Sequence, residues 1–408
     1  MSQGLTSTRG GDAASIFEGL ELSPQFGSII DLSDESLVGV SLELRGPEGT
    51  NFDTPRALRR TATLMEQRAA LDARKFTFAD TPAATSIAAQ IPLFVAVDID
   101  LDDPKRRPAA GQTLVLLIEP RSILRRPQAR LAQVARARRD GRLIAIEGVT
   151  ADRRTATLLT LIEPDIVLLH SDVLSSPVPS PDTARLAHTL AAHTERTGAI
   201  VIATGVDTEA DRRNALTLGA RYGMGTLHAP VSAAADRVLG ATSALPDLPA
   251  RTIPASDEKT PFAIASRTAV PRAADERLLL EMSKDLERTA TQASVAVVLG
   301  TFQDQTHFAP STSQRWRALS EKVGLVGVYG EGIRPMIEGN IHYAPLSSDD
   351  ELAIEWNVAV LGIHFAALLS AREMHRQQPG GRREFMFVQS YDRTIVTQAV
   401  RVILSRFT

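Results

Sequence analysis

The stretch from residue 28 to 45 reads Ser28-Ile29-Ile30-Asp31-Leu32, Ser33-Asp34-Glu35-Ser36-Leu37-Val38, Gly39-Val40-Ser41-Leu42-Glu43-Leu44-Arg45. Two short apolar runs, Ser28–Leu32 and Gly39–Arg45, are separated only by Ser33–Val38. That connection is too short for a crossover helix, so the runs are expected to pair as an antiparallel hairpin. Six more apolar runs follow at Pro92–Ile99, Thr113–Ile118, Leu143–Val149, Asp165–His170, Ala199–Val206 and Tyr222–Leu227. Most of the intervening stretches carry helical spacing: Leu186, Leu190 and Ala191 form an apolar side, with Glu195 and Arg196 on the polar one. Alternation of apolar strands with helices implies a parallel sheet covered by helices. Eight such units in about 205 residues fit a TIM-like (β/α)8 barrel, and the opening hairpin makes its first strand the reversed one.

The chain has 408 residues with 43 % hydrophobic content, enough for two domains with real cores rather than a disordered or fibrous chain. With no cysteine, disulfides, thiolate zinc sites, iron–sulfur clusters and a cysteine nucleophile are excluded. The 45 Lys and Arg against 48 Asp and Glu give a net charge of -3, which argues against nucleic acid or an anionic membrane as an obligate partner. No apolar run approaches the ~20 residues that cross a bilayer. Met1–Asp12 has no apolar segment of the signal-peptide kind, so the expected location is the cytoplasm.

The expected boundaries are a flexible N-terminus over 1–20, the barrel over 21–232, a Pro-, Ala- and Ser-rich linker over 233–262, and a C-terminal α/β sandwich domain over 263–408. In the last, helices are expected at Asp275–Thr289, Ser313–Val323, His364–His375 and Asp392–Phe407. Strands are expected at Ser294–Phe302, Leu325–Tyr329, Trp356–Gly362 and Glu384–Tyr391. Both Trp and three of the four Tyr fall in this part, so an aromatic-lined sensory pocket built from His307, Trp316, Tyr329, Trp356 and His364 is one reading, and plain core packing the other.

The segments Ile29–Leu32, Val38-Gly39, Arg45–Gly49, Glu163–Asp165, Arg196–Ala199, Thr204–Asp207 and Leu218–Gly225 keep an order that resembles the EAL-type cyclic di-GMP phosphodiesterases. Thr301–Gln303, His307-Phe308, Val326–Val328, Glu355–Asn357, Gly362–Ala367 and Tyr391–Arg393 resemble a DICT sensory domain. The first resemblance implies a two-metal site at the C-terminal ends of the barrel strands, where carboxylates and an Asn hold the ions. Carried over position by position, the site is mostly emptied. The signature Glu falls on Ser41, with Glu43 about 6–7 Å further along the same side of the strand at ~3.3 Å per residue. The ligating Asn falls on Ala96, the next Glu on Leu116 or Leu117, and the paired aspartates on Glu147 and Gly148. The Lys that orients water falls on Leu168, the Asp after it on His170, and a late Glu on Thr204. A divalent cation needs roughly six oxygen ligands, and these aliphatic side chains offer none. No catalytic residue, metal site or cofactor is therefore expected. Arg45, Glu147 and Asp207 are the candidate nucleotide-binding residues, with cyclic di-GMP as the candidate ligand.

Other signals have plain readings. The acids Asp98, Asp100, Asp102 and Asp103 lie beside Lys105, Arg106 and Arg107, and read as a solvated loop. The Arg-rich stretch Arg121–Arg142 reads as the wet face of an outer helix. Gly327, Gly330 and Gly332 fit no phosphate-loop spacing. The function expected is a non-catalytic signalling or regulatory protein, its degenerate barrel used for dimer or partner contacts and its sensory domain for input. The expected partners are a second copy in a homodimer and a protein of a signalling pathway. The alternatives are a cyclic di-GMP receptor that binds without hydrolysis, and a small-molecule or light-related sensor.

Overall fold

The computed structural model describes residues 17, 19–175, 180–232, 245–246, 248, 257–293, 295–374 and 383–407. Among them, β1 (Ser23–Asp31), β2 (Leu37–Arg45), β3 (Leu93–Asp98), β4 (Gln112–Ile118), β5 (Leu143–Val149), β6 (Ile166–Leu169), β7 (Ile200–Thr204) and β8 (Tyr222–Met224) form a closed barrel in that order. β1 pairs antiparallel with β2 from Ser23↔Arg45 to Ile30↔Leu37. The hairpin closes through Glu35 at φ 61°, with Asp31 N–H donating to Ser36 O and Glu35 N–H to Asp31 O. The later ladders β5–β6, β6–β7 and β7–β8 are parallel, so the first strand is the reversed one, as the short connection requires.

The barrel's helices are α1 (Pro55–Leu64), α2 (Arg68–Ala79), α3 (Pro82–Ala88), α4 (Pro120–Arg125), α5 (Pro127–Arg139), α6 (Arg153–Ile162), α7 (Ser171–Leu174), α8 (Pro181–Thr197) and α9 (Glu209–Thr217). Several begin on a side-chain cap followed by Pro at the first helical position. Thr54, Thr81 and Ser180 each accept from the backbone N–H three residues on, which satisfies an N–H group that the helix cannot.

The C-terminal part comprises α10 (Pro261–Ser266), β9 (Arg272–Asp275), α11 (Glu276–Ala293), β10 (Ala296–Asp304), α12 (Pro310–Ser320), β11 (Leu325–Glu331), β12 (Met336–Glu338), β13 (Ile341–Pro345), β14 (Glu355–Gly362), β15 (Ala366–Glu373), β16 (Glu384–Ser390) and α13 (Arg393–Leu404). Its strands make one mixed sheet in the order β12-β13-β11-β10-β14-β15-β16-β9. One face buries Val298, Val328, Val358 and Val360 against Leu279 and Leu286 of α11 and Trp316 and Leu319 of α12. The other face carries α10 and α13.

Two expectations for this part need correction. The stretch expected as helix His364–His375 is a strand over the described residues Ala366–Glu373, paired on both sides with β14 and β16. The run Ala366-Ala367-Leu368-Leu369 favours a helix by propensity, but a place between two strands buries both its faces, and packing overrides propensity. The strands β9, β12 and β13 carry no signal that singles them out. Arg272-Ala-Ala-Asp275 and Met336-Ile-Glu338 are short, largely exposed edge pieces.

By compactness the chain divides into one unit holding residues 1–31, 35–116 and 228–245 and another holding 32–34, 117–227 and 246–408. The second unit joins the later barrel strands to the C-terminal sheet through α6, which packs on β10 and β14. Thr160 Oγ1 donates to Leu361 O at 3.4 Å, and Arg401 Nη2 to Leu161 O at 3.0 Å. Gly324 is required at this contact, because a Cβ there would lie 2.1 Å from Thr157 Oγ1. Of the lead-in expected over 1–20 only residues 17, 19 and 20 are described, and most of the 233–262 linker lies outside the described residues.

Candidate functional site

In the first unit the exits of β2 and β3 carry the positions matched to metal ligands. Ser41 is buried, Ala96 is half-buried, and Leu116 at the end of β4 is fully buried. The described β2–β3 ladder consists of Val40↔Leu93 and Ser41↔Phe94. Beyond it, α2 supplies partners for β3. Lys75 Nζ donates to Ala96 O at 2.6 Å, and Asp72 Oδ2 accepts from Asp98 N–H at 2.9 Å. Asp72, which is fully buried, also meets Arg59 Nη1 at 2.6 Å and Lys75 Nζ at 3.0 Å through its other oxygen. Glu43 lies within the fields of Lys75 and Arg59. Burial nevertheless raises its pKa above the usual carboxylate value, the two cations opposing that rise only in part.

This cluster was not legible in the sequence. Asp72 and Lys75 sit three apart on one helix, but nothing in that spacing says that the helix turns them inward. The acidic loop after β3 also differs from expectation. Asp98 is largely buried, 3.8 Å from Arg68 Nε, and its carboxylate caps the turn at Asp100; burial raises its pKa above the usual value. Arg45, the candidate phosphate contact, lies 3.9 Å from Glu48 at the surface.

In the second unit, Glu147 and Gly148 form a bulge. Ile146 pairs with Val167 and Val149 with Leu169, so β5 has one residue more than β6 there, and Gly148 takes φ +72°. The strand end that would present two aspartates is thus bent by a left-handed glycine. Leu117 is buried and Leu168 half-buried, while His170 Nδ1 accepts from Asp172 N–H at 3.2 Å as the cap of α7. Thr204 Oγ1 donates to Leu169 O at 2.7 Å. Asp207 Oδ1 accepts from both the N–H and the hydroxyl of Thr226 at 2.9 Å, which ties the loop after β7 to the loop after β8. The Arg-rich stretch is less solvated than expected: Arg138 is buried, and its Nη2 donates to Ile162 O at 2.8 Å.

The fold implies divalent cations at these strand ends, and the residues present do not fit them. Ala96, Leu116, Leu117, Gly148 and Leu168 have no side-chain oxygen, and Lys75 brings a cation of its own to the β3 exit. Among the described residues, no group of three or more Asp, Glu or His side chains is placed to hold a metal ion.

Of the residues expected to line a sensory pocket, Trp316 and Trp356 share one core cluster, with His307 bonded to Phe302 of the same cluster, whereas Tyr329 and His364 lie apart from it. Trp316 is fully buried on the α11–α12 face, its Nε1–H donating to Glu287 Oε1 at 3.0 Å and its ring edge-on to Phe302. Gly300 makes room for it, since a Cβ there would lie 2.5 Å from the indole. Tyr329 lies on the opposite face, near Gly327 and Leu299, and burial pushes its hydroxyl pKa up. Trp356 packs edge-on to Phe385, and His364 is exposed in the β14–β15 turn. His307, with its proton on Nδ1, donates to Phe302 O at 3.1 Å and accepts from Arg383 Nη1 at 3.0 Å. Trp316 and Tyr329 thus lie on opposite faces of the sheet, and both are fully buried in the core.

The family described as the EAL domain matches residues 14–231, more than half of the chain, and the protein belongs to that family. The sensory domain in diguanylate cyclases and two-component systems, DICT, matches 263–374 and follows it. Among solved structures, the Klebsiella pneumoniae BlrP1 manganese/cyclic di-GMP complex at pH 6 is 18 % identical, covers 52 % of this chain and 56 % of its own, and has a TM-score of 0.41. The FimX EAL domain of Pseudomonas aeruginosa bound to cyclic di-GMP is 17 % identical over 53 % of this chain and 93 % of its own, with a TM-score of 0.39. An EAL domain protein of Listeria monocytogenes is 12 % identical over 51 % of this chain and 88 % of its own, with a TM-score of 0.36. The chain thus spans just over half the length of the BlrP1 chain. A comparison with the curated proteins finds no match.

Proposed function

We propose that this is a signalling protein of the cyclic di-GMP systems whose barrel, over 21–232, no longer hydrolyses the dinucleotide. In this reading the barrel makes contacts with a second copy or a protein partner, and a sensory domain over 263–408 provides the input through the 233–262 connection. The observation that carries the reading is the set of strand ends in which Ser41, Ala96, Leu116, Leu117, Gly148 and Leu168 stand where the family places metal ligands and the water-orienting Lys. Leucine at such a position also desolvates an ion without replacing its water. The test is hydrolysis of cyclic di-GMP by the purified chain with Mg²⁺ or Mn²⁺, followed by chromatography of the products. We expect none above background; metal-dependent turnover that disappears in Glu147→Ala would sink the proposal.

A second reading, a receptor that binds cyclic di-GMP without hydrolysis, draws on Arg45. Its long, exposed contact with Glu48 at 3.9 Å leaves the guanidinium available for a phosphate. Titration calorimetry with the dinucleotide decides between the two, and absence of heat removes the receptor.

A further inference from the structure

Three arginines and no carboxylate line a half-open cleft of about 250 Å³ in the second unit. Arg121 and Arg125 come from α4, and Arg154 from the first turn of α6, which packs against α4. Asn340 and His342 reach the same cleft from the start of β13. Arg121 and Arg154 make neither a hydrogen bond nor an ion pair with any described residue.

Two residues that line the cleft also carry an orphaned buried polar atom each. His342 is 3 % exposed and its ring packs on Phe407 at 4.7 Å, yet its Nδ1 has no hydrogen-bond partner among the described residues. Asn340 is fixed by its amide nitrogen, which donates to Ser320 O at 3.1 Å and Val323 O at 3.2 Å. This leaves Oδ1 a buried acceptor with no described partner. Folded proteins rarely leave such atoms unpaired, and a ligand that pairs them is one physical reason to keep them. Burial, with the Arg154 guanidinium nearby, pushes the His342 pKa down to about 4, so the ring is neutral at pH 7 and free to donate or accept.

We infer that this cleft binds a small phosphate-bearing metabolite with an N–H or O–H group close to the phosphate. The guanidiniums of Arg121 and Arg154, neither with a described acidic partner, match a doubly charged phosphate better than a single carboxylate. The neighbouring hydroxyl or amine is what Asn340 Oδ1 lacks. The volume suits a phosphorylated sugar and is too small for a cyclic dinucleotide. A ligand held here would touch α4, α6 and the β13 edge of the C-terminal sheet together.

The test uses the full chain with ribose 5-phosphate and inorganic phosphate as probes, read by calorimetry and thermal unfolding against sodium chloride at matched ionic strength. The expected result is saturable binding of ribose 5-phosphate that raises the melting temperature, with inorganic phosphate weaker. The double substitution Arg121→Ala and Arg154→Ala should lower affinity at least tenfold while leaving the ligand-free melting temperature in place. Absence of saturable binding of either probe, or unchanged affinity in the double variant, would overturn the site. Inorganic phosphate binding as tightly as the sugar phosphate would overturn the role given to Asn340. Cyclic di-GMP displacing ribose 5-phosphate would overturn the assigned ligand size. Apart from that displacement, none of these readouts depends on whether the barrel hydrolyses or binds the dinucleotide.

Discussion

At the exits of β2 and β3, Arg59 and Lys75 are held against the buried carboxylate of Asp72, with Glu43 in their field. In the cleft of α4, α6 and β13, Arg121 and Arg154 have no described partner and no carboxylate lines the wall. The first arrangement is complete in itself. Each charge has an opposite within reach, and the spare oxygen of Asp72 and the ammonium of Lys75 serve the backbone of β3. The second is complete only if something anionic enters. Basic side chains are therefore read by their company: paired and buried they stitch a strand end, while clustered beside orphaned acceptors they point to a ligand.

The comparison breaks most visibly at Asp72. Asp72→Ala leaves Arg59 and Lys75 without their counter-ion and Asp98 N–H without its acceptor. It should cost about 3–5 kcal/mol in chemical denaturation, the usual loss on removing one partner of a buried pair. A loss well below that would show the cluster to be solvated and dispensable.

A smaller effect should follow from Glu43. Its folded pKa is raised, so its favourable contribution is full below its unfolded value of 4.5 and disappears as pH rises through the folded value. Glu43→Gln should therefore match the native chain in acid and become the more stable of the two toward neutral pH, by less than the Asp72 effect. Denaturation curves in acid and at pH 7 check the sign. A variant less stable at pH 7 would mean that Lys75 and Arg59 outweigh burial.

The smallest change is expected in the cleft. Arg154→Ala removes an exposed cation with no protein partner, so unfolding free energy in the absence of ligand should move by no more than about 0.5 kcal/mol. A large loss would show that Arg154 is a structural residue after all, and the contrast between the two clusters would fail.

The barrel was readable because its signal is local: short apolar runs at regular intervals, and one connection, Ser33–Val38, too short to cross over. The C-terminal sheet was half readable. β10, β11, β14 and β16 carry apolar runs, whereas β15 is written in Ala and Leu and takes its strand from its two neighbours. Of the candidate site, the side chains without oxygen at Ala96, Leu116 and Gly148 were visible, since their chemistry needs no coordinates. The bulge at Glu147-Gly148 and the employment of Asp207 by Thr226 were not, because both depend on a neighbouring strand or loop.

The sequence by itself determined the reversed-first-strand barrel and the order of its strands. Those follow from periodicity and connection length. Only the tertiary structure decided that Lys75 and Asp72 turn inward, that Trp316 and Tyr329 face opposite ways, and that arginines 121, 125 and 154 meet Asn340 and His342. Each is a contact across many residues of chain, and local patterning carries no term for the partner that packing brings.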